Sequence, residues 1–510
     1  MYELKIRDRL RSLADGRDIK LDTPPENIAG DLSTNAAMVY GLNPADIAAK
    51  LLDMEEVKSA EVVGPGFINM VITSEAKNLE VKEIVKAPGN YGKNTASGDI
   101  LFEMVSSNPT GPLHIGHGRG AAIGDALSRM YEWTGYSVKR EYYVNDTGRQ
   151  MELLGESIFN IINGTAVPEQ GYKGKYIKDI AAGMGKPADA GQCTRLASES
   201  ILDTHFEVLK EFRVSYDSRL YETELIESGK VNEVVEFLKN KGLTYEKEGA
   251  LWFKSTVFGD GRDRVLVKKG GELTYFASDC AYHKEKAERH GELMNIWGAD
   301  HHGYIGRLDA FWEAAGFKGK KKLNIVLYQL VNLKRGGELV SMSTRAGEFV
   351  TLKEVIDEVG ADAARFFLLM RNSDTPLDFD IDLAKQENKS NPVYYVQYSH
   401  ARISSVFKKA GVKPADIAPD EALKLGEEED RIIKVISHFP YVLSKCVELN
   451  APHLLTEYLR DTATAFHKYY DTVKIVGTKE ETPRLALLAA VKAVIKNGLQ
   501  LVGVSAPESM

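Results

Sequence analysis

Three patterns of apolar and polar positions succeed one another along the 510 residues. To about Gly98 the pattern mixes helix and strand periods. LNPADIAAKLLDM (42–54) sets a Pro at a helix start with an apolar stripe behind it. AEVVGPGFINMVIT (60–73) reads as two strands about a Gly-Pro-Gly turn. KAPGNYGKNTASGD (86–99) carries few apolar residues and reads as a linker.

A second pattern begins at Asp99. ILFEMVS (100–106) is a buried-strand run, followed by a Gly/Pro/His loop, a helical stripe over 118–133 and another strand, VKREYYV (138–144). Strand, loop, helix, strand is the unit of a parallel sheet. Residues 150–240 are mostly helical in period and predict an insertion into that sheet. LWFKST, DRVLVKK and LTYFAS read as strands, LMNIWGADHH ends a further one, and NIVLYQLVNL leads to a second Gly-rich loop. From Leu383 onward only helical patterns follow. The expectation is an α/β multidomain chain. It has a small α/β N-terminal domain (1–95), a parallel-sheet domain with insertions (96–382) and an all-α C-terminal bundle (383–510).

Composition narrows the function. Hydrophobic residues make up 43% and charged residues 27%, as in ordinary globular proteins. No apolar run approaches the roughly 18 residues of a membrane span. The N-terminal MYELKIRDRL lacks a signal core, and three distant cysteines exclude a disulfide framework, so a cytoplasmic home is expected. With net charge −8, attraction to nucleic acid needs a local basic surface rather than the whole chain.

The densest chemistry lies in SSNPTGPLHIGHGRG (106–120), between a buried strand and a helix. His114 and His117 project to one side of the loop–helix junction. Gly116 between them lets a flat ring lie against the backbone. The helix N-terminus adds free N–H groups and the positive end of its dipole. Together they suit a nucleoside triphosphate, its base on Gly116 and its phosphates at the imidazoles.

This loop resembles the HIGH signature of class I aminoacyl-tRNA synthetases, and the rest of the chain resembles the arginyl-tRNA synthetase family. The resemblance is carried by NPTGPLHIGHGRGAAIGDAL, REYYVNDTGRQ, LTYFASDCAYH, IWGADHHGYIGR, LYQLVNLKRGG, MSTRAG, GADAARFFLL, NPVYYVQYSHAR and GVSAPESM, with GDLSTNAA and GPGFIN near the N-terminus. It implies a Rossmann-type catalytic domain and a two-step reaction. ATP, brought with Mg2+, and L-arginine give arginyl-adenylate and pyrophosphate. The arginyl group then passes to the 3′ end of tRNA(Arg). A monomer, with no membrane partner and no protein metal site, is implied. The family's dependence of arginine activation on cognate tRNA is implied as well.

By the same resemblance, His114 and His117 stabilise charge on the transferring phosphates, and Pro109, Gly116, Gly298, Asp300 and His301 hold ATP together with Met342 and Ser343. A specific guanidinium pocket needs buried carboxylate. Tyr275, Asp279, Asn108 and Gln329 match substrate-contacting positions, and Glu141 is the expected second carboxylate. One departure stands out: where class I enzymes carry Lys-Met-Ser-Lys-Ser, this chain has Ser341-Met342-Ser343-Thr344-Arg345. The alternative lysine position ahead of the HIGH loop is also unfilled, by Thr110 and Gly111. Arg345 becomes the candidate pyrophosphate cation, with Lys334, Arg335 and Arg119 behind it.

For tRNA, the resemblance points to Tyr395, Gln397, Tyr398, Tyr470 and Met510 at the anticodon loop, and to Phe67 and Asn69 at the elbow. Aromatic rings stack on unpaired bases, which gives these tyrosines a chemical reason. Adjacent His301 and His302 in GADHH rarely point at one ion, and DFDID lacks the Gly and distant Glu of an EF-hand, so neither reads as a metal site. Two rivals remain, a small nucleotidyltransferase with an HxGH loop and a tRNA-binding paralog without catalysis.

Overall fold

The structure, a computed structural model, describes residues 1–25, 28–340, 350–417 and 426–510. The N-terminal unit runs α1 (Tyr2–Leu13), β1 (Leu32–Thr34), α2 (Ala36–Tyr40), α3 (Pro44–Leu52), β2 (Val57–Val63), β3 (Phe67–Ile72) and α4 (Ser74–Lys86). The Asn43 side chain accepts from the Ala45 amide and Pro44 opens α3, as the sequence anticipates. β3 is central in an antiparallel sheet of order β1-β3-β2. Asp31 binds this unit to the C-terminal bundle, accepting Lys77 at 2.9 Å and Lys434 at 2.5 Å.

The middle region begins β4 (Asp99–Met104), α5 (Ile115–Trp133), β5 (Ser137–Val144), α6 (Arg149–Ile162), α7 (Lys175–Gly183), α8 (Ala190–Glu211) and β6 (Ser218–Tyr221). It continues with α9 (Glu222–Glu227), α10 (Lys230–Asn240), β7 (Thr244–Lys247), β8 (Ala250–Phe253), β9 (Arg264–Val267), α11 (Tyr275–Arg289), β10 (Glu292–Gly298), α12 (His302–Ala314) and β11 (Lys322–Tyr328). It closes with β12 (Val331–Arg335), β13 (Glu338–Leu339), α13 (Leu352–Leu369), β14 (Leu377–Asp380) and α14 (Ile381–Ala384). The main sheet is parallel throughout, in the order β11-β10-β4-β5-β6. The chain moves from β4 to one edge and returns to the other side at β10. The β4/β10 crevice is therefore the switch point where ligands of such sheets bind.

Two sequence expectations are corrected here. LTYFAS is not a strand: Thr274 caps a helix, its side chain accepting from the Ala277 amide, and Tyr275 opens α11. The helical stretch 150–240 is interrupted by β6, which pairs in parallel with β5, so the sheet resumes at Ser218. Period alone could not separate four residues of strand from the helices around them.

The bundle consists of α15 (Pro392–Ala410), α16 (Glu427–Ser437), α17 (Phe439–Glu448), α18 (His453–Thr472) and α19 (Glu481–Leu501). Its core is continuous with that of the parallel sheet, with Phe366, Phe439, Leu459 and Val494 all buried in one cluster.

Candidate active site

The signature loop leaves the carboxyl end of β4 under strain. Val105 (φ 70) and Ser106 (φ 42) both adopt left-handed backbone, which is costly for a β-branched residue. The loop ends at α5, whose N-cap is His114. The His114 Nδ1 accepts from the His117 amide at 3.3 Å, and the His117 Nδ1 accepts from the His114 amide at 3.3 Å. The rings stack, centroids 3.7 Å apart. Because each Nδ1 is an acceptor, each neutral ring carries its proton on Nε2. Burial lowers both pKa values, that of His117 well below the ordinary histidine range. The pair therefore presents N–H donors without a standing charge. A Cβ on Gly116 would lie 2.9 Å from the His114 ring, so glycine keeps that surface flat. Pro109 is buried within the loop.

β10 ends beside this loop. Gly298 closes the strand, and a Cβ there would meet the Asp300 carboxylate at 2.5 Å. Asp300 acts electrostatically on His114, raising its pKa against the effect of burial, and lies 3.7 Å from His301 Nε2. Gly298, Asp300 and His301 thus share the switch-point rim with His114. Asn108 donates to Gln150 on α6 at 2.8 Å, and Gln329 follows the end of β11, its carbonyl accepting from Arg119 at 2.8 Å.

Acidic side chains gather near the first turns of α11. Burial pushes the Asp279 carboxyl up to about 7, reinforced by Glu222 and Glu103 and opposed by Lys286 and Arg307. Glu222, the first residue of α9, is also raised by burial, and the charge of Asp146 adds to it. Glu103 is already paired, accepting the buried Lys286 ammonium at 2.7 Å. The charge of Glu222 acts on Asp279, and among the described residues neither acid forms an ion pair, which suits a guanidinium. Tyr275 is half exposed and close to Gly148.

Glu141, expected as the second carboxylate, is corrected. It is buried in β5 and accepts from Arg289 at 3.0 Å and from Tyr282 at 3.1 Å, lower on α11 than Asp279. Glu222, not Glu141, is the carboxylate whose charge acts most strongly on Asp279. The sequence offered little signal for it, because Glu222 opens a six-residue helix far from any motif.

Met342, Ser343 and Arg345 lie outside the described residues. The other cations named for pyrophosphate are engaged elsewhere. Lys334 pairs with Asp378 at 2.7 Å and Arg335 with Glu358 at 2.6 Å. Arg119 is buried and donates to the carbonyls of Gln329 and Asn372 at 2.8 and 2.9 Å. Among the described residues no three His, Cys, Asp or Glu side chains converge as a metal site.

At the bundle, Tyr395 and Tyr398 stack on His467, centroids 4.7 and 5.7 Å apart. Arg402 donates to the Tyr398 hydroxyl at 2.7 Å and lies over the Tyr470 ring at 4.4 Å. These rings and one guanidinium form a half-exposed aromatic cluster. Met510 is exposed. Gln397 is not on this surface: it is buried, donating to Asp362 at 2.9 Å and to the Ser505 carbonyl at 3.0 Å. Its expected contact with tRNA is corrected to an internal tie. In the N-terminal unit Phe67 is exposed, but Asn69 is buried, accepting from the Ser33 hydroxyl at 2.7 Å. Asn69 likewise holds the sheet rather than facing outward.

The chain matches three family descriptions: "Arginyl tRNA synthetase N terminal domain" over 2–72, "tRNA synthetases class I (R), catalytic domain" over 80–171 and 186–405, and "DALR anticodon binding domain" over 396–510. It is 44% identical to the arginine–tRNA ligase of Nitratidesulfovibrio vulgaris, covering 96% of this chain and 95% of that one. It is 45% identical to that of Desulfosudis oleivorans, covering 97% and 95%. The Thermus thermophilus arginyl-tRNA synthetase shares the fold, with a TM-score of 0.80 at 21% identity over 100% of this chain and 99% of that one. Strained signature loop, switch-point rim, acidic cluster and helical bundle all agree with these likenesses: the chain belongs to the arginyl-tRNA synthetase family of class I aminoacyl-tRNA synthetases.

Proposed function

We propose that this site joins L-arginine to ATP and then transfers the arginyl group to the 3′-terminal ribose of tRNA(Arg). The observation that carries this reading is the stacked His114–His117 pair capping α5 at the carboxyl side of the parallel sheet, with the raised acids Asp279 and Glu222 offering negative charge to a guanidinium. The guanidinium ionises both acids as it binds. The arginine carboxylate attacks the α-phosphorus of ATP, and pyrophosphate leaves. The Nε2–H groups of His114 and His117 meet charge growing on the phosphate oxygens. A ribose hydroxyl of the tRNA then attacks the adenylate carbonyl, and AMP departs. ATP arrives as its Mg2+ complex. No covalent enzyme intermediate is involved, so the catalytic work is positioning and electrostatics.

The half-exposed Tyr395, Tyr398, Tyr470 and Arg402 give the anticodon loop an aromatic and cationic face, and exposed Phe67 gives the N-terminal unit a surface for the tRNA elbow. Residues 1–95, 96–382 and 383–510 then act as elbow-binding, catalytic and anticodon-binding units. The three cysteines are free and buried, which suits a monomeric enzyme of the reducing cytoplasm. No helix among the described residues is long and apolar enough to cross a membrane. Incubating the protein with tRNA(Arg), ATP and labelled arginine tests the reading: label on tRNA supports it, and its absence overturns it.

A further inference from the structure

Two buried side chains outside the substrate-facing set close around the signature loop from behind. Tyr142 lies on β5, between β4 and the edge strand β6, and His205 comes from α8 of the helical insertion; both are buried. The Ser107 amide donates to the Tyr142 hydroxyl at 3.0 Å. The single proton of that hydroxyl is shared between the Ser107 carbonyl at 2.9 Å and His205 Nδ1 at 3.2 Å. On its far side His205 Nε2 lies 2.7 Å from the Gly111 carbonyl. A carbonyl only accepts, so Nε2 carries the proton and Nδ1 is left as an acceptor. Ser107, Tyr142, His205 and Gly111 thus form one connected set of hydrogen bonds.

This set spans the two ends of a five-residue segment that contains Asn108 and Pro109, both expected to contact substrate. The segment follows the strained pair Val105 and Ser106, and strain of this kind persists only where surrounding contacts over-determine it. Tyr176 of the insertion adds a third hold, its hydroxyl donating to the Thr110 carbonyl at 2.7 Å. Burial lowers the His205 pKa to about 4, so the ring stays neutral and its acceptor nitrogen stays available at neutral pH.

We infer that Tyr142 and His205 act as a clasp: they are positioning residues that hold residues 107–111 in the shape the reaction needs. The clasp rests on the proposed function, for it acts through the loop that binds arginine and ATP. It gives the helical insertion a task within the chemistry, since its side chain, rather than the sheet, supplies half of the connection. A displacement of about 1 Å at this loop is enough to slow positioning-dependent chemistry by up to about 100-fold.

The test is a double-mutant cycle with Tyr142→Phe and His205→Leu, read as kcat of tRNA-dependent ATP–pyrophosphate exchange. Each single variant is expected to lose about tenfold or more in kcat. The double variant is expected to be no slower than the worse single, because either change opens the same clasp. His205→Gln, whose amide offers a donor and an acceptor, is expected to keep most of the activity. Multiplying losses in the double variant, wild-type kcat in the singles, or a Gln variant as slow as Leu would overturn the clasp. Should His205→Leu fail to fold, Tyr142→Phe and His205→Gln decide by the same measure. An inactive wild type counts against the proposed function instead. The imidazole 15N shifts of His205 then decide independently: an Nε2–H tautomer supports the clasp and an Nδ1–H tautomer contradicts it.

Discussion

Arg365 and Asp125 form a fully buried ion pair that ties the signature helix to the end of the chain. Asp125 is on α5 and Arg365 on α13, whose first amide, Leu352, donates to Leu113 in the signature loop at 2.7 Å. The same guanidinium donates to the Phe212 carbonyl at 2.8 Å and the Val502 carbonyl at 2.9 Å. Gly503 approaches so closely, at φ 70, that a Cβ there would lie 2.3 Å from Arg365. Removing one partner of such a pair leaves an uncompensated buried charge, at about 3–5 kcal/mol. Asp125→Ala is therefore expected to lower the denaturation midpoint sharply, and Gly503→Ala to do so by clash and strained backbone. Urea unfolding followed by fluorescence checks both.

His117→Ala is expected to slow adenylate formation by about 100- to 1,000-fold, the size of a lost transition-state donor. The protein should stay folded, because the change costs one capping contact, about 1 kcal/mol, at a partly exposed loop–helix junction. Circular dichroism and single-turnover exchange together check this. Unchanged turnover would remove the phosphate role assigned to the pair.

The pH dependence of arginine binding follows from Asp279, whose carboxyl is raised from 3.8 to about 7. A raised acid holds its proton in the free enzyme below about pH 7, and the guanidinium needs it ionised. The KM for arginine is expected to climb as pH falls through 7, by up to tenfold per unit. The linked stability has the opposite sense. The folded free enzyme binds this proton more tightly than the unfolded chain, so the group's contribution is present below pH 3.8 and is lost as pH rises to about 7. Asp279→Asn should flatten the KM trend to the part carried by Glu222, and steady-state kinetics between pH 6 and 8 show whether it does.

Much of this site was legible in the sequence because it is local. The two histidines and the glycine between them sit within four consecutive positions, and the strand before them is a plain apolar run. Asp279 and Tyr275 stand one helical turn apart on α11, although LTYFAS reads as a strand in the sequence. What escaped notice is assembled across the sheet. Glu222 reaches Asp279 only because β6 rejoins the parallel sheet, and four residues of strand inside a helical stretch leave no clear period. Gln397 and Asn69 resemble recognition residues by type, yet their amides serve buried partners, and burial is not written in a motif. His205 carries no signal at all, being one polar residue in a long amphipathic helix.

Coupling between the ends gives a further outcome. Tyr395 and Tyr398 share His467 as a stacking partner and sit in the helix whose Gln397 binds Asp362 of α13. Arginine activation is expected to depend on cognate tRNA, with anticodon contacts selecting a catalytic conformation that is minor without them. Replacing both tyrosines with Ala should weaken tRNA stimulation of exchange by removing stacking of about 1–3 kcal/mol per base. Exchange assays with and without tRNA(Arg) check it, and full activity without tRNA would refute the coupling.

The central claim is that Asp279 and Glu222 select arginine for transfer to tRNA. Charging of tRNA(Arg) by the wild type and by the Glu222→Gln variant, with labelled arginine over a range of concentrations, tests it most directly. Efficient charging by the wild type and a KM for arginine raised at least tenfold in the variant, about the 1.4 kcal/mol or more expected for one charge-assisted hydrogen bond, is the predicted result. Uncharged tRNA with the wild type, or an arginine KM indifferent to Glu222, would contradict it.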